Sequence, residues 1–182
     1  MQRAREAQVG DLTTLQDLAT TLNDPIKRAQ VAVEQGNYLR DISDFSAAIT
    51  AAQQALTWIE QARLGANYAT PRDEADQQSA DLVRLEIDAR YLWGMTLDFE
   101  GDYAGACIQH ELALALARES GLRRDEARCL YGLSRSSDAM SADKAYLEAS
   151  LPIYREVGDQ AGESLCLNQL GYCLLVTGDY EA

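Results

Sequence analysis

A glycine that returns at one phase constrains this 182-residue chain more than any other feature. Gly36, Gly94 and Gly171 each stand seven residues before a turn-like triplet: Ser43-Asp44-Phe45, Gly101-Asp102-Tyr103 and Gly178-Asp179-Tyr180. Glycine inside a helix costs about 1 kcal/mol relative to alanine, so its recurrence needs a reason. Close approach of two helix backbones is the usual one. Beyond the turn comes a second pair of small residues seven apart, Ala48 and Ala55 in one copy, Ala106 and Ala113 in another. Seven residues make two helical turns, so each pair lies on one stripe and faces one partner. The unit implied is a helical hairpin.

The remaining composition agrees. Only Pro25, Pro71 and Pro152 interrupt a sequence dominated by Ala, Leu, Glu, Gln and Arg, the residues that lose least on entering a helix. Hydrophobic residues at 47% are too many for a disordered chain. The expected fold class is all-α, a right-handed superhelix of antiparallel helix pairs. The start, MQRAREAQVG, lacks the apolar run of a signal peptide, and no stretch approaches the roughly 20 apolar residues that span a bilayer, which points to a cytoplasmic address and no membrane contact. Cys107, Cys129, Cys166 and Cys173 fall at apolar helical positions without a Cys-x-x-Cys pair and read as reduced packing residues.

A degenerate copy appears when Glu119-Ser120-Gly121 is aligned with Glu156-Val157-Gly158 and Cys129-Leu130 with Cys166-Leu167, which puts Ser134 at the position of Gly94 and Gly171. The markers Gly36, Gly94, Ser134 and Gly171 then stand 58, 40 and 37 residues apart. Residues 1–24 read as an N-terminal capping helix or partial repeat, with Leu12, Leu15, Leu18 and Leu22 on one side. Asp24 caps the next helix, and Pro25 occupies its first turn. Residues 25–63 form repeat 1, 64–72 an inserted loop, 73–121 repeat 2 with an extended first helix, 122–158 repeat 3 and 159–182 a truncated repeat 4. Repeat 3 has Ser136-Ser137-Asp138-Ala139-Met140-Ser141 where Gly-Asp-Tyr is expected, which predicts a short first helix or an irregular turn. A solenoid that stops mid-repeat leaves apolar surface uncovered, so the chain reads as a piece of a longer protein or one completed by a neighbouring chain.

These positions resemble the tetratricopeptide (TPR) pattern, in which an aromatic residue, Leu-Gly, a Gly-Asp-Tyr turn and two alanines are spaced along paired helices. The best copy is Arg90-Tyr91-Leu92-Trp93-Gly94, Leu97, Gly101-Asp102-Tyr103, Ala106 and Ala113. A period near 40 is similar to the variant in sensor regions of bacterial signalling ATPases and LuxR-type regulators. Leu167-Asn168-Gln169-Leu170-Gly171 and Tyr154-Arg155-Glu156-Val157-Gly158-Asp159 carry that likeness. The resemblance implies a concave groove lined by first helices, and hence by Val33, Asn37, Arg40, Tyr91, Met95, Asp98, Tyr131, Arg135, Asn168 and Tyr172. Val33 stands where TPR grooves that grip a C-terminal carboxylate place a lysine, which argues against a chaperone-tail receptor.

Candidates for chemistry are few. His110 is the only histidine, which leaves no partner for a multi-His zinc site, and it reads as a packing residue between Ala106 and Ala113. Gly101 and Gly105 belong to a hairpin turn and lack the Gly-Lys-Ser/Thr of a phosphate loop. Carboxylates such as Asp73, Glu74 and Asp76 read as a solvated face. Tyr103, Tyr180 and Phe45 anchor turns, and Trp58 suits either core packing or contact with the inserted loop. The chain therefore reads as a non-enzyme without catalytic residues, metal or cofactor. Sixteen Lys and Arg against 29 Asp and Glu give −13, which argues against nucleic acid and favours a neutral or basic protein partner. The expected function is a protein-interaction scaffold that binds a peptide or protein in its groove, as the repeat segment of a larger bacterial regulator. A small-ligand sensor domain and self-assembly through the C-terminal edge are the alternatives.

Overall fold

The computed structural model describes residues 24–65, 72–137 and 140–177 together with Thr14, Asp17, Leu18 and Thr21; at 72–75, 140–142 and 177 it describes the backbone alone. Within these residues the chain is all-α, with seven helices and no strand: α1 (Pro25–Asp41), α2 (Phe45–Gly65), α3 (Arg72–Glu100), α4 (Tyr103–Glu119), α5 (Arg123–Ser136), α6 (Met140–Val157) and α7 (Gln160–Thr177). Sequence neighbours pack as pairs, α1 with α2, α4 with α5, α5 with α6 and α6 with α7. Of the helix expected before Asn23, Thr14, Asp17, Leu18 and Thr21 are described and helical. The rest of that helix, the tip of the inserted loop at 66–71, residues 138–139 and the Gly178-Asp179-Tyr180 triplet lie outside the described residues.

Each described turn solves one problem in one way. The last carbonyls of a helix and the first amides of the next lack intrahelical partners, and a left-handed residue between them lets the chain satisfy both. Ser43 (φ 65), Gly101 (φ 84), Gly121 (φ 66) and Gly158 (φ 72) hold that position. The following amide then reaches back to a carbonyl five residues earlier: Asp44 to Leu39 at 2.8 Å, Asp102 to Leu97 at 3.0 Å, Leu122 to Ala117 at 2.9 Å and Asp159 to Tyr154 at 2.9 Å. In three turns the same residue caps the next helix. The carboxylates of Asp44, Asp102 and Asp159 accept from the amides of Ala47, Gly105 and Gly162. Asp24 caps α1 likewise, accepting from Ile26 and Lys27, with Pro25 at the start of the helix. Repeat 3 departs here, because Leu122 has no side-chain oxygen to offer. Its first helix, α5, has 14 residues against 17 for α1 and 29 for α3.

The chain divides into two compact units at Trp93 and Gly94. The core of the first draws on three helices: Ala29, Ala32 and Val33 of α1, Ala55, Ile59 and Ala62 of α2, and Leu82, Leu85 and Ala89 of α3. A Cβ on Gly36 would run into the end of the Leu92 side chain and lie 3.3 Å from Ala51, so a larger residue there requires Leu92 to shift. Trp58 is half-buried against this core, and the Arg28 guanidinium lies 4.7 Å from the centre of its ring.

In the second unit the contact points are again small. Ala106, Ala113 and Ala117 of α4 are fully buried, as are Ala127 and Cys129 of α5. Ser150 of α6 donates to the Ala127 carbonyl at 2.8 Å and lies 3.3 Å from the Cys166 sulfur of α7, which pins α6 between its neighbours. The cysteines are free thiols, three buried and Cys107 half-buried. Arg123 bridges Glu126 and Glu156, and Arg124 meets Asp159 at 2.6 Å, tying the start of α5 to the α6–α7 turn.

The geometry at the glycines decides what their substitution does. Gly101→Ala meets no atom within 4 Å, so its cost is the left-handed backbone alone, about 1–2 kcal/mol in urea unfolding. At the marker position the sign depends on the copy. A Cβ on Gly94 would lie 2.6 Å from the His110 ring, whereas one on Gly171 meets nothing within 4 Å. Gly94→Ala is expected to destabilise by about 1–3 kcal/mol through overpacking. Gly171→Ala is expected to stabilise by up to about 1 kcal/mol through helix propensity, both read as shifts of the unfolding midpoint.

Candidate functional site

The first unit holds a groove of about 550 Å³ between α1 and α3, open to solvent and lined by Gln30, Val33, Glu34, Asp81, Arg84, Leu85 and Asp88. Helical spacing produces it. On α1 the lining positions 30, 33 and 34, and on α3 the positions 81, 84, 85 and 88, are one to three apart and recur at helical phase, so each set forms one face. Val33 and Leu85 are buried and make an apolar floor shared with the core. Gln30, Glu34, Asp81 and Arg84 are exposed and Asp88 is half-buried, so the rim carries three carboxylates and one guanidinium. An open, polar-rimmed trough with an apolar floor suits a side chain or short peptide segment.

Behind the groove α3 is fixed by a buried charge. Glu86, with 8% of its side chain exposed, receives Arg63 of α2 at 2.6 Å and Arg90 at 2.7 Å. Burial alone would push this carboxyl up, but the hydrogen bonds from Arg90 and Arg63 outweigh it and hold it below its usual range.

The ten residues expected to line a groove are placed as follows. Val33 forms the floor of the α1–α3 trough, where it is buried in the core. Asn37, Arg40 and Tyr91 of the same unit are half-buried, and Arg40 is occupied by Asp41 at 3.0 Å. In the second unit Asp98 and Arg135 are brought together as an ion pair at 2.8 Å, with 4% of the Asp98 side chain exposed. Arg135 also lies 5.5 Å from the centre of the Phe99 ring; burial alone would lower its pKa, but its interactions with Asp98 and Tyr131 outweigh that and raise it. Tyr131 is buried, Met95 is half-buried, and Asn168 and Tyr172 are exposed on α7.

Sequence reasoning misses the rim at Glu34, Asp81, Arg84 and Asp88. The repeat pattern reads outward from the marker glycine and so stops at Tyr91, whereas α3 begins about two dozen residues before Gly94 and carries its groove positions on that added length. The signal available was the 81-84-85-88 spacing itself. Gly132 is also missed. A Cβ there would lie 2.7 Å from His110, so two glycines from α3 and α5 face one imidazole on α4.

That imidazole is fully buried. Desolvation, with help from the nearby Arg135 and Arg128 charges, lowers its pKa to about 4. It is neutral near pH 7 and fills space between helices. Among the described residues no group of three His, Cys, Asp or Glu side chains is placed to hold a metal ion. No helix there is long and apolar enough to cross a membrane. No protein-family model matches this sequence, and no curated protein matches it.

A pH dependence follows from His110. The unfolded histidine takes up its proton near pH 6.5 and the folded one near 4, so stability falls as pH drops through that interval. Between pH 7 and pH 5 the loss attributable to this residue is about 2 kcal/mol. Urea titrations of the wild type and of His110→Gln across that range would show it: the variant's stability should be flatter by that amount. Equal slopes would mean that the buried ring accepts a proton without cost.

Proposed function

We propose that this chain is a TPR-type repeat segment that binds a protein or peptide, and that the α1–α3 trough takes a short extended stretch of that partner. The observation that carries the reading is the trough itself, about 550 Å³ between the first helices of two successive hairpins, with Val33 and Leu85 below and Glu34, Asp81 and Asp88 at the rim. Its volume lies in the range of small-molecule sites as well. Its open form and charged walls favour a peptide over a buried metabolite, which leaves the small-ligand sensor as the second reading. The chain's −13 charge points the same way, since a neutral or basic segment approaches such a surface favourably. The likeness of 154–159 and 167–171 to regulatory repeats supports a role as the protein-holding part of a larger bacterial regulator, working in the cytoplasm.

An array of short peptides, varied in basic and apolar content and probed with the labelled chain, tests this. Peptides that pair Lys or Arg with a neighbouring aliphatic residue are expected to bind. Glu34→Lys with Asp81→Lys, both at exposed positions, should weaken them at least tenfold, about 1.4 kcal/mol, and reduce their salt dependence. Undiminished binding by the double variant would move the site elsewhere. Stabilisation by a metabolite collection, with no peptide captured, would favour the sensor.

A further inference from the structure

The α3 wall of the trough carries a cation that no other part of the described chain has taken. Among the described Lys and Arg side chains, each of the others lies beside a carboxylate or, for Arg28, over the Trp58 ring. Arg84 meets neither, and its side chain is exposed in the trough wall. Acids stand within helical reach of it. Asp81 is three residues before and Asp88 four after, the spacings at which opposite charges pair along a helix. Asp81 receives the side-chain amide of Gln77 at 2.9 Å instead. In a chain of net charge −13, the one guanidinium left open is thus the one that lines the groove.

We propose that Arg84 determines the specificity of the trough: it receives the carboxylate of an aspartate or glutamate side chain in the bound segment, and so selects segments in which one acid stands between two bases. This rests on the reading of the trough as a peptide groove. Along α3 the wall runs negative, positive, negative at Asp81, Arg84 and Asp88. These steps rise about 4.5 and 6 Å along the helix axis, while an extended segment repeats one face about every 6.6 Å. Alternate side chains of an extended segment laid along α3 therefore reach the three in turn, and the complementary pattern is base-x-acid-x-base. The residues between are left to the apolar floor of Val33 and Leu85.

Selection works in both directions. A guanidinium holds a carboxylate through two parallel hydrogen bonds, which a neutral amide does not match. A base at the central position sets two cations against each other, so an all-basic segment is penalised locally although the net charge of the chain attracts it.

The sign of one substitution separates this from general charge attraction. In the field of a −13 chain, exchanging a neutral residue of a peptide for an acid weakens binding, and only a local cation reverses that. Fluorescence anisotropy with the full chain would compare three labelled peptides blocked at both ends: Lys-Leu-Glu-Leu-Lys, Lys-Leu-Gln-Leu-Lys and Lys-Leu-Lys-Leu-Lys. The Glu-centred peptide is expected to bind at least fivefold tighter than the Gln-centred one, with the Lys-centred one weakest. Arg84→Gln should abolish the preference for Glu over Gln, and Arg84→Glu should invert the order and put the Lys-centred peptide first. Both variants should keep the helical circular dichroism, since Arg84 is exposed. A Gln-centred peptide that binds as tightly as the Glu-centred one overturns the proposal, and so does a Glu preference that survives Arg84→Gln. Binding that is lost in the Glu34→Lys and Asp81→Lys double variant but is indifferent to the central residue overturns the assignment to Arg84 and leaves the trough reading standing. If no peptide of any pattern binds, or if the double variant binds all three undiminished, the trough reading fails and this proposal with it.

Discussion

Where a helix carries glycine at its contact point, the next side chain comes within reach of its backbone, and the rest of this structure follows from where that happens. Gly36 admits Leu92, Gly94 and Gly132 admit the two sides of His110, and Gly162 admits the Tyr154 ring into the space its own Cβ would take. Around these points the seams are lined by alanine, at Ala48, Ala52 and Ala55 in one hairpin and Ala106, Ala113 and Ala117 in another. A seam of small residues buries little apolar area per side chain, so the larger Leu and Ile residues must supply most of the hydrophobic stabilisation. They do so at a third helix, as Leu82 and Leu85 of α3 do for the α1–α2 pair. A hairpin of this kind is incomplete by itself, which is the physical basis of a repeat.

The turns impose a second constraint. A left-handed residue followed by a capping aspartate fixes both the end of one helix and the start of the next over a few residues, leaving little freedom in how the pair closes. Ser43 holds the left-handed position with a side chain attached, at φ 65, where the other turns have glycine. That is the same turn where Ser43-Asp44-Phe45 departs from Gly-Asp-Tyr, so sequence divergence and local strain coincide. Leu122 shows the opposite compromise: the glycine is kept at Gly121 and the cap is lost. Repeat 3 compensates with charge, its first turn carrying Asp125 and Glu126 at the positive end of the helix, where they also meet Arg128, Arg118 and Arg123.

How much of this could be read from the sequence depends on the range over which each feature acts. The capping role of Asp24 and the shortness of α5 rest on local signals and were legible. The recurrence of a costly residue at one phase pointed to close backbone approach, which holds at Gly36, where the Ala48 carbonyl would lie 3.4 Å from a Cβ, whereas at Gly94 the His110 ring takes the space and at Gly171 nothing lies within 4 Å. Gly132 was not legible, because it sits two residues from the aligned marker Ser134, and only the packed structure shows that His110 demands room on both sides. The same limit applies to the groove. Val33 could be nominated from its distance to Gly36, but Asp81 and Asp88 lie on the added length of α3, where no repeat partner supplies a register. Asp98 and Arg135, nominated separately, turn out to satisfy one another, and no single-helix pattern encodes a pairing across 37 residues.

Charge distribution sharpens what the surfaces can do. With 29 carboxylates against 16 basic side chains, most arginines have an acid within reach, and many described ones are engaged: Arg63 and Arg90 on Glu86, Arg118 and Arg123 on Glu126, Arg124 on Asp159, Arg155 on Glu163. These six arginines lie on four carboxylates and leave the surplus acids to set the outward field. Exposed pairs contribute little to stability, so the arginines matter more for which acids they silence than for the energy they add. On α7 the silencing is complete, because Arg155 takes Glu163, the only charge of that helix, and its outer face carries none. At the α1–α3 rim it is not, since three carboxylates face one guanidinium. An acidic chain therefore presents two different surfaces, one that attracts cations and one that carries no charge, and the difference between them is set by where a handful of arginines are already engaged.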